Sequence, residues 1–272
     1  ANAIANNSVS LTDPLLSLPD YNKSHSMFCH PVTNDEIRST ITNLRDSASG
    51  PDRIKPKVVK LIKDELVTPL NHVLNLSLKK GIFPDKLKEA IITPIFKKGA
   101  KDLVGNYRPI SVLNAFSKVF EKIMYKRLVN YLDATKILYN RQFGFRSGHS
   151  TEMAVTEVIS LITNSLNENK PIVAVNMDLS KAFDTIDHQI LCSKLGKYGI
   201  NGPILNWFQT YLRGRSQRVQ YNSSISPPLS ILRGVPQGSN LGPLLFILYI
   251  NDLHRACNTC DSILYADDCN AL

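Results

Sequence analysis

Cysteine is scarce in this chain: Cys29, Cys192, Cys257, Cys260 and Cys269 are its five, scattered over 272 residues. That is too few and too dispersed for a disulfide framework, and it fits a reducing, intracellular setting. Cys257 and Cys260, with His254 nearby, have a zinc-like spacing. No second pair supplies the remaining ligands of a tetrahedral structural site, so zinc is not expected. Long apolar runs are also missing. The longest, Leu241 to Ile250, falls well short of the ~20 residues that span a bilayer. The first residues lack the basic region and apolar core of a secretory signal. Internal repeats and low-complexity tracts are absent, which excludes solenoid and array architectures. Acid is in short supply, with 23 Asp+Glu against 32 Lys+Arg and a net charge of +9. Such a surplus suits a polyanionic partner and says nothing of fold.

What is present reads as globular, with 43% hydrophobic and 20% charged residues. Residues 1–30 are polar and irregular, and are expected to be a linker or N-terminal extension. The chain opens without Met and stops just past an acid pair, so a segment of a longer reading frame is expected. Thr33-Asn34-Asp35-Glu36 has the pattern of a reciprocal helix cap, with Ile37, Ile41 and Leu44 following at helical spacing. A second amphipathic segment carries Leu70, Val73, Leu74 and Leu78 and closes at Gly81. Ala90–Phe96 and Tyr107–Leu113 have strand character and flank a basic loop. Lys97, Lys98 and Arg108 on this flap either grip a phosphate chain or form an ordinary solvated loop. Gln142–Ser150 interleaves Phe143 and Phe145 with Arg146, a composition that suits base stacking or equally a core-anchored loop. A helix is expected over Thr151–Leu166.

The chemistry concentrates in three places. Pro171–Asp178 is an apolar strand that delivers an acid at its end; being apolar on both faces, it reads as a central strand. Arg233–Pro243 is a glycine-rich turn opening onto an apolar helix, where a ligand can approach the backbone closely. Ile263–Leu272 places Asp267 and Asp268 side by side within an apolar stretch. Neighbouring strand residues face opposite ways, but a tight hairpin turn lets both acids serve one ligand. Taken alone this pair is well explained as a solvated turn; Asp178 is the third acid that points instead to a cation. Oxygen-only ligands select Mg²⁺ or Mn²⁺ over zinc.

Seven stretches, in order, resemble the reverse transcriptase domain of non-LTR (LINE-type, jockey-like) retrotransposons. They are Gly50-Pro51-Asp52, Ile95–Gly99, Tyr107–Ser111, Gln142–Arg146, Asp178–Asp184, Gly234–Ser239 and Tyr265–Asp268. The resemblance implies an α+β fold: the fingers and part of the palm of a right-hand polymerase, an antiparallel palm sheet backed by helices, without the thumb. Fingers would span approximately 31–170 and palm approximately 171–272, truncated after the Tyr-Ala-Asp-Asp motif. It implies an RNA-directed DNA polymerase in which Asp178, Asp267 and Asp268 are catalytic. Together with Leu179 they would hold two Mg²⁺ ions. Lys97, Lys98, Arg108, Phe183, Gln237 and Gly238 would bind the nucleotide, with Phe183 as the gate against a ribose 2′-hydroxyl. Phe143, Arg146, Ser239 and Tyr265 would touch template and primer. The implied partners are an RNA template, a DNA primer or target DNA and a dNTP, with no membrane, in a cytoplasmic ribonucleoprotein and the nucleus. The competing expectation is a decayed or domesticated fragment that binds nucleic acid without catalysis. Arg53 stands where the family usually has Gly, Asn240 where an apolar residue is usual, and Cys269 where Thr or Ser is common.

Overall fold

The computed structural model describes residues 25–256 and 260–272. Most of the expected linker and Cys257 of the zinc-like pair lie outside the described residues. The helices in chain order are α1 (Asn34–Thr42), α2 (Pro56–Leu61), α3 (Lys63–Lys80), α4 (Ala115–Thr135) and α5 (Thr151–Asn167). They continue with α6 (Ala182–Thr185), α7 (His188–Lys197), α8 (Gly202–Leu212) and α9 (Gly242–Tyr249). The strands are β1 (Glu89–Phe96), β2 (Tyr107–Leu113), β3 (Val175–Asp178), β4 (Arg215–Tyr221), β5 (Ser224–Ile225), β6 (Leu229–Ile231), β7 (Ser262–Tyr265) and β8 (Asp268–Ala271). The class is α+β, and among the described residues no helix is long and apolar enough to cross a membrane.

Helix ends follow their local chemistry. The Thr33 hydroxyl accepts the Glu36 amide at 3.2 Å and starts α1. The reciprocal half of that cap does not form, because the Glu36 carboxylate pairs instead with Arg127 of α4 at 3.1 Å. An arginine in reach offers a charge-assisted bond that outcompetes a lone backbone amide. Gly81 ends α3 at φ +66°, the left-handed cap its position predicts.

The apolar faces of α1, α3, α4, α7, α8 and α9 share one core. At its centre Phe83 meets Phe120, Trp207 and Tyr211 edge-on, with centroids between 5.1 and 5.9 Å. Edge-to-face aromatic packing of this kind adds to simple burial.

Two sheets flank this core. In the first, β1 and β2 form an antiparallel hairpin registered from Ala90↔Leu113 to Phe96↔Tyr107, and β4 joins the other edge of β1 in parallel. In the second, the order is β3-β8-β7, all antiparallel. Gln142 adds a parallel bridge to Leu264 of β7. Both sheets therefore draw on residues from either side of position 170.

One expectation is corrected. The strand expected over 171–178 narrows to Val175–Asp178, and it is an edge strand exposed along its length rather than a buried central one. Hydrogen-bonded only to β8, it leaves Val175 at 50% and Met177 at 40% exposure. An apolar run signals burial only where the sheet continues on both sides.

Candidate active site

The acid pair sits in the tightest connection in the second sheet. Tyr265 pairs with Asp268, leaving Ala266 and Asp267 as the two turn residues. The left-handed backbone falls on Ala266, at φ +56°, and not on an Asp. Alanine tolerates that region poorly, so the turn is held from outside. The Gln142 side-chain oxygen accepts the amides of Ala266 (3.2 Å) and Gly144 (2.8 Å). Flanking main-chain bonds run from Phe143 N to Leu264 O (2.8 Å) and from Leu264 N to Arg141 O (2.9 Å). Gly144 lies so close that a Cβ there would stand 2.1 Å from the Ala266 nitrogen. Only glycine permits this approach.

Asp178 is the last residue of β3 and is directly paired with Asp268 across the ladder. Paired residues of antiparallel strands share a face, so these two carboxylates emerge side by side. Both line a recess of about 530 Å³ between the sheet and α5, with Tyr265, Asn176 and Asn270. Asp267 is drawn in through its backbone, where its carbonyl accepts the Leu179 amide at 3.2 Å. Among the described residues no group of three or more His, Cys, Asp or Glu side chains converges as a metal site. Asp268 already belongs to the strand while Asp267 is still in the turn, so alternation separates them. The donor chemistry of Asp178 and Asp268 fits a hard divalent cation, since adjacent carboxylates repel unless a cation lies between them.

The glycine-rich loop before α9 is tied to every element around it. Its Val235 amide bonds Phe183 O (2.8 Å), its Gly234 amide bonds Ile186 O (2.8 Å), and Ser111 of β2 donates to Gln237 O at 2.7 Å. Gly238, at φ +116°, passes 2.7 Å from Ser111 O at the point where a Cβ would stand. The Gln237 side chain donates to Asp184 at 3.3 Å; burial pushes the Asp184 carboxyl up, and the Gln237 bond opposes it. His188 hydrogen-bonds Gly234 O at 2.7 Å, and burial pulls its imidazole down. Phe183 is half-buried, stacked on Phe246 at 5.0 Å and meeting Phe145 edge-on at 5.9 Å.

The remaining expected residues divide. Lys97, Lys98 and Arg108 are exposed at the far end of the β1–β2 hairpin, free to meet a phosphate. Phe143 is only 8% exposed and packs with Ala154 and Ile263, so its ring is not open to a base, whereas neighbouring Phe145 is 43% exposed. Arg146 donates to Tyr139 O (2.9 Å) and Gln142 O (3.1 Å), holding its loop closed. Ser239 is 6% exposed, and its hydroxyl is taken up by Pro236 O and the Gly242 amide, each at 2.9 Å. Phe143 and Ser239 are thus buried and engaged within the protein itself. In both cases the loop folds inward to satisfy its backbone. Gln142 and Glu121 were not singled out by sequence reading. A buried polar residue leaves no periodic signal, and only the groups it pairs with reveal its task.

The motif order and this geometry meet in one comparison. A family model for reverse transcriptase (RNA-dependent DNA polymerase) matches residues 95–272. This chain belongs to the reverse transcriptase family. Among its relatives, a "Probable RNA-directed DNA polymerase from transposon X-element" of Drosophila melanogaster is 34% identical over 209 residues, covering 76% of this chain and 23% of that one. The corresponding protein from transposon BS of the same fly is 34% identical over 225 residues, covering 82% and 25%. The RNA-directed DNA polymerase from its mobile element jockey is 31% identical over 249 residues, covering 87% and 27%. The reverse transcriptase chain described here spans about a quarter of the length of these relatives.

Proposed function

We propose that this chain carries fingers and part of the palm of a non-LTR retrotransposon polymerase, which extends a DNA primer with dNTPs on an RNA template. The observation that carries the reading is the direct pairing of Asp178 with Asp268, with the Asp267 carbonyl bound to Leu179 at the same corner. Asp178 and Asp268, with Asp267 and the main chain at Leu179, would hold Mg²⁺ or Mn²⁺. The ions supply activation of the primer 3′-oxygen and neutralisation of the phosphates. The chain's own part is positioning, since in-line phosphoryl transfer asks for little else. Lys97, Lys98 and Arg108 meet the triphosphate as exposed cations at the end of the β1–β2 hairpin. Gln237 and Gly238 line the nucleotide from a loop held by the neighbouring backbone. Phe183, clamped by Phe246 and Phe145, blocks a 2′-hydroxyl.

A second cationic feature supports a nucleic-acid partner. Lys118, Lys122 and Lys126 recur every fourth residue of α4 and line a cleft of about 1150 Å³ together with Arg45 and Arg146. Burial lowers Lys118 and Lys122, with Arg45, Lys60 and Lys118 adding repulsion on Lys122. A phosphate backbone relieves that repulsion.

In the full-length protein, Asp178→Asn is expected to lower Mg²⁺-dependent primer extension by about 1,000-fold or more, roughly 4 kcal/mol of barrier, while RNA binding persists. Equal extension by variant and parent would refute the cation assignment. The alternative, a nucleic-acid-binding chain without catalysis, draws on the lack, among the described residues, of three acids converging as a metal site. It predicts tight RNA binding with no extension by the unaltered protein in the same assay.

A further inference from the structure

Glu121 is wholly buried in the middle of α4, an unusual place for a carboxylate. Both of its oxygens are used. One accepts the Tyr211 hydroxyl at 3.0 Å and the other the Asn240 amide at 2.7 Å. The Arg215 guanidinium acts on the carboxylate electrostatically. Arg215 is itself buried, lies 4.9 Å over the Tyr211 ring and donates to Tyr211 O at 3.1 Å. Its Nε and Nη2 have no hydrogen-bond partner among the described residues. A buried cation and a buried carboxylate are each costly alone, so they are retained as a set.

The set ends on one piece of chain. Asn240 closes the loop that carries Gln237 and Gly238. The other ties of this loop run to β2, α6 and α7. Glu121 is its tie to α4, with the Arg215 guanidinium of β4 acting on the carboxylate at a distance. We propose that Glu121 is a positioning residue of the polymerase site: its carboxylate, seated by the Tyr211 hydroxyl, fixes the Asn240 amide and so the backbone that presents Gln237 and Gly238 to the nucleotide. This assignment rests on the polymerase reading for its function, though not for its geometry.

The test separates the two. Amide hydrogen exchange at Asn240 is read by NMR in the unaltered chain, in Glu121→Leu and in Glu121→Gln, and dNTP kinetics are measured with the same variants of the full-length protein. Glu121→Leu removes both acceptors and is expected to speed Asn240 exchange by about 10-fold, the scale of one lost hydrogen bond. It should also raise the dNTP KM by a similar factor, with kcat changed less than about threefold. Glu121→Gln keeps an acceptor for Asn240 and should restore both values. If Glu121→Leu does not fold, Glu121→Leu with Arg215→Met removes the orphaned cation and replaces it in the comparison. Unaltered Asn240 exchange in the leucine variant would overturn the proposal, even in a chain without catalysis. Faster exchange with an unchanged KM would also overturn it, by leaving Glu121 a structural role alone.

Discussion

Phe183 shows how much one side chain's meaning depends on its neighbours. Its place five residues after Asp178 is legible in the sequence; the clamp that fixes it is not. Phe246 lies 63 positions downstream by residue number and stacks on it at 5.0 Å, while Phe145 closes the other side at 5.9 Å. A ring held on two sides cannot swing away from an added hydroxyl. Phe183→Val should therefore raise the kcat/KM for ribonucleotides relative to deoxynucleotides by about tenfold, roughly 1.4 kcal/mol of lost discrimination. An unchanged ratio would remove the gate role. Arg53 also gains a meaning that sequence alone withholds. It sits at φ +59°, where a side chain costs about 1–2 kcal/mol, which explains why glycine suits this position. The acids were legible because charge interrupting an apolar run is conspicuous. The burial of Phe143 and Ser239 was not legible, because an aromatic or a hydroxyl looks alike on either side of a loop.

Elements were legible in proportion to how local their causes are. The cap of α1, the end of α3 and the extent of α5 follow from periodicity and capping residues close in sequence. The edge position of β3 and the parallel union of β4 with β1 depend on partners far along the chain, and no local pattern encodes them. The acid hairpin is the sharpest case, since its turn is shaped by Gln142 and by the absence of a side chain at Gly144. Gly144→Ala would set a Cβ 2.1 Å from the Ala266 nitrogen, against backbone that cannot rotate aside. A loss of about 2–3 kcal/mol in stability is expected, the range for forced overpacking. Urea denaturation would measure it, and a loss below ~0.5 kcal/mol would mean that the hairpin slides freely over the loop.

At the scale of the whole molecule, protons link the loop to folding. Burial depresses His188 while its ring holds Gly234 O, and burial likewise depresses His254. An unfolded histidine binds its proton near pH 6.5. The stability these neutral rings contribute is present above that pH and is lost as pH falls through their lower folded values. The melting temperature should drop by a few degrees between pH 7.5 and pH 5, with a shallower slope in His188→Gln. Parallel slopes would separate the histidine from the loop. The bond from Ala266 to Gln142 has a further consequence, because it spans 124 positions. Contacts that distant form only after the chain has closed a long loop on itself. The acid hairpin is therefore a late arrival during refolding, waiting on helices that are already in place. Pulse labelling should find the Leu264 and Ala266 amides shielded after those of α4, and simultaneous shielding would mean that helix and hairpin condense in a single step.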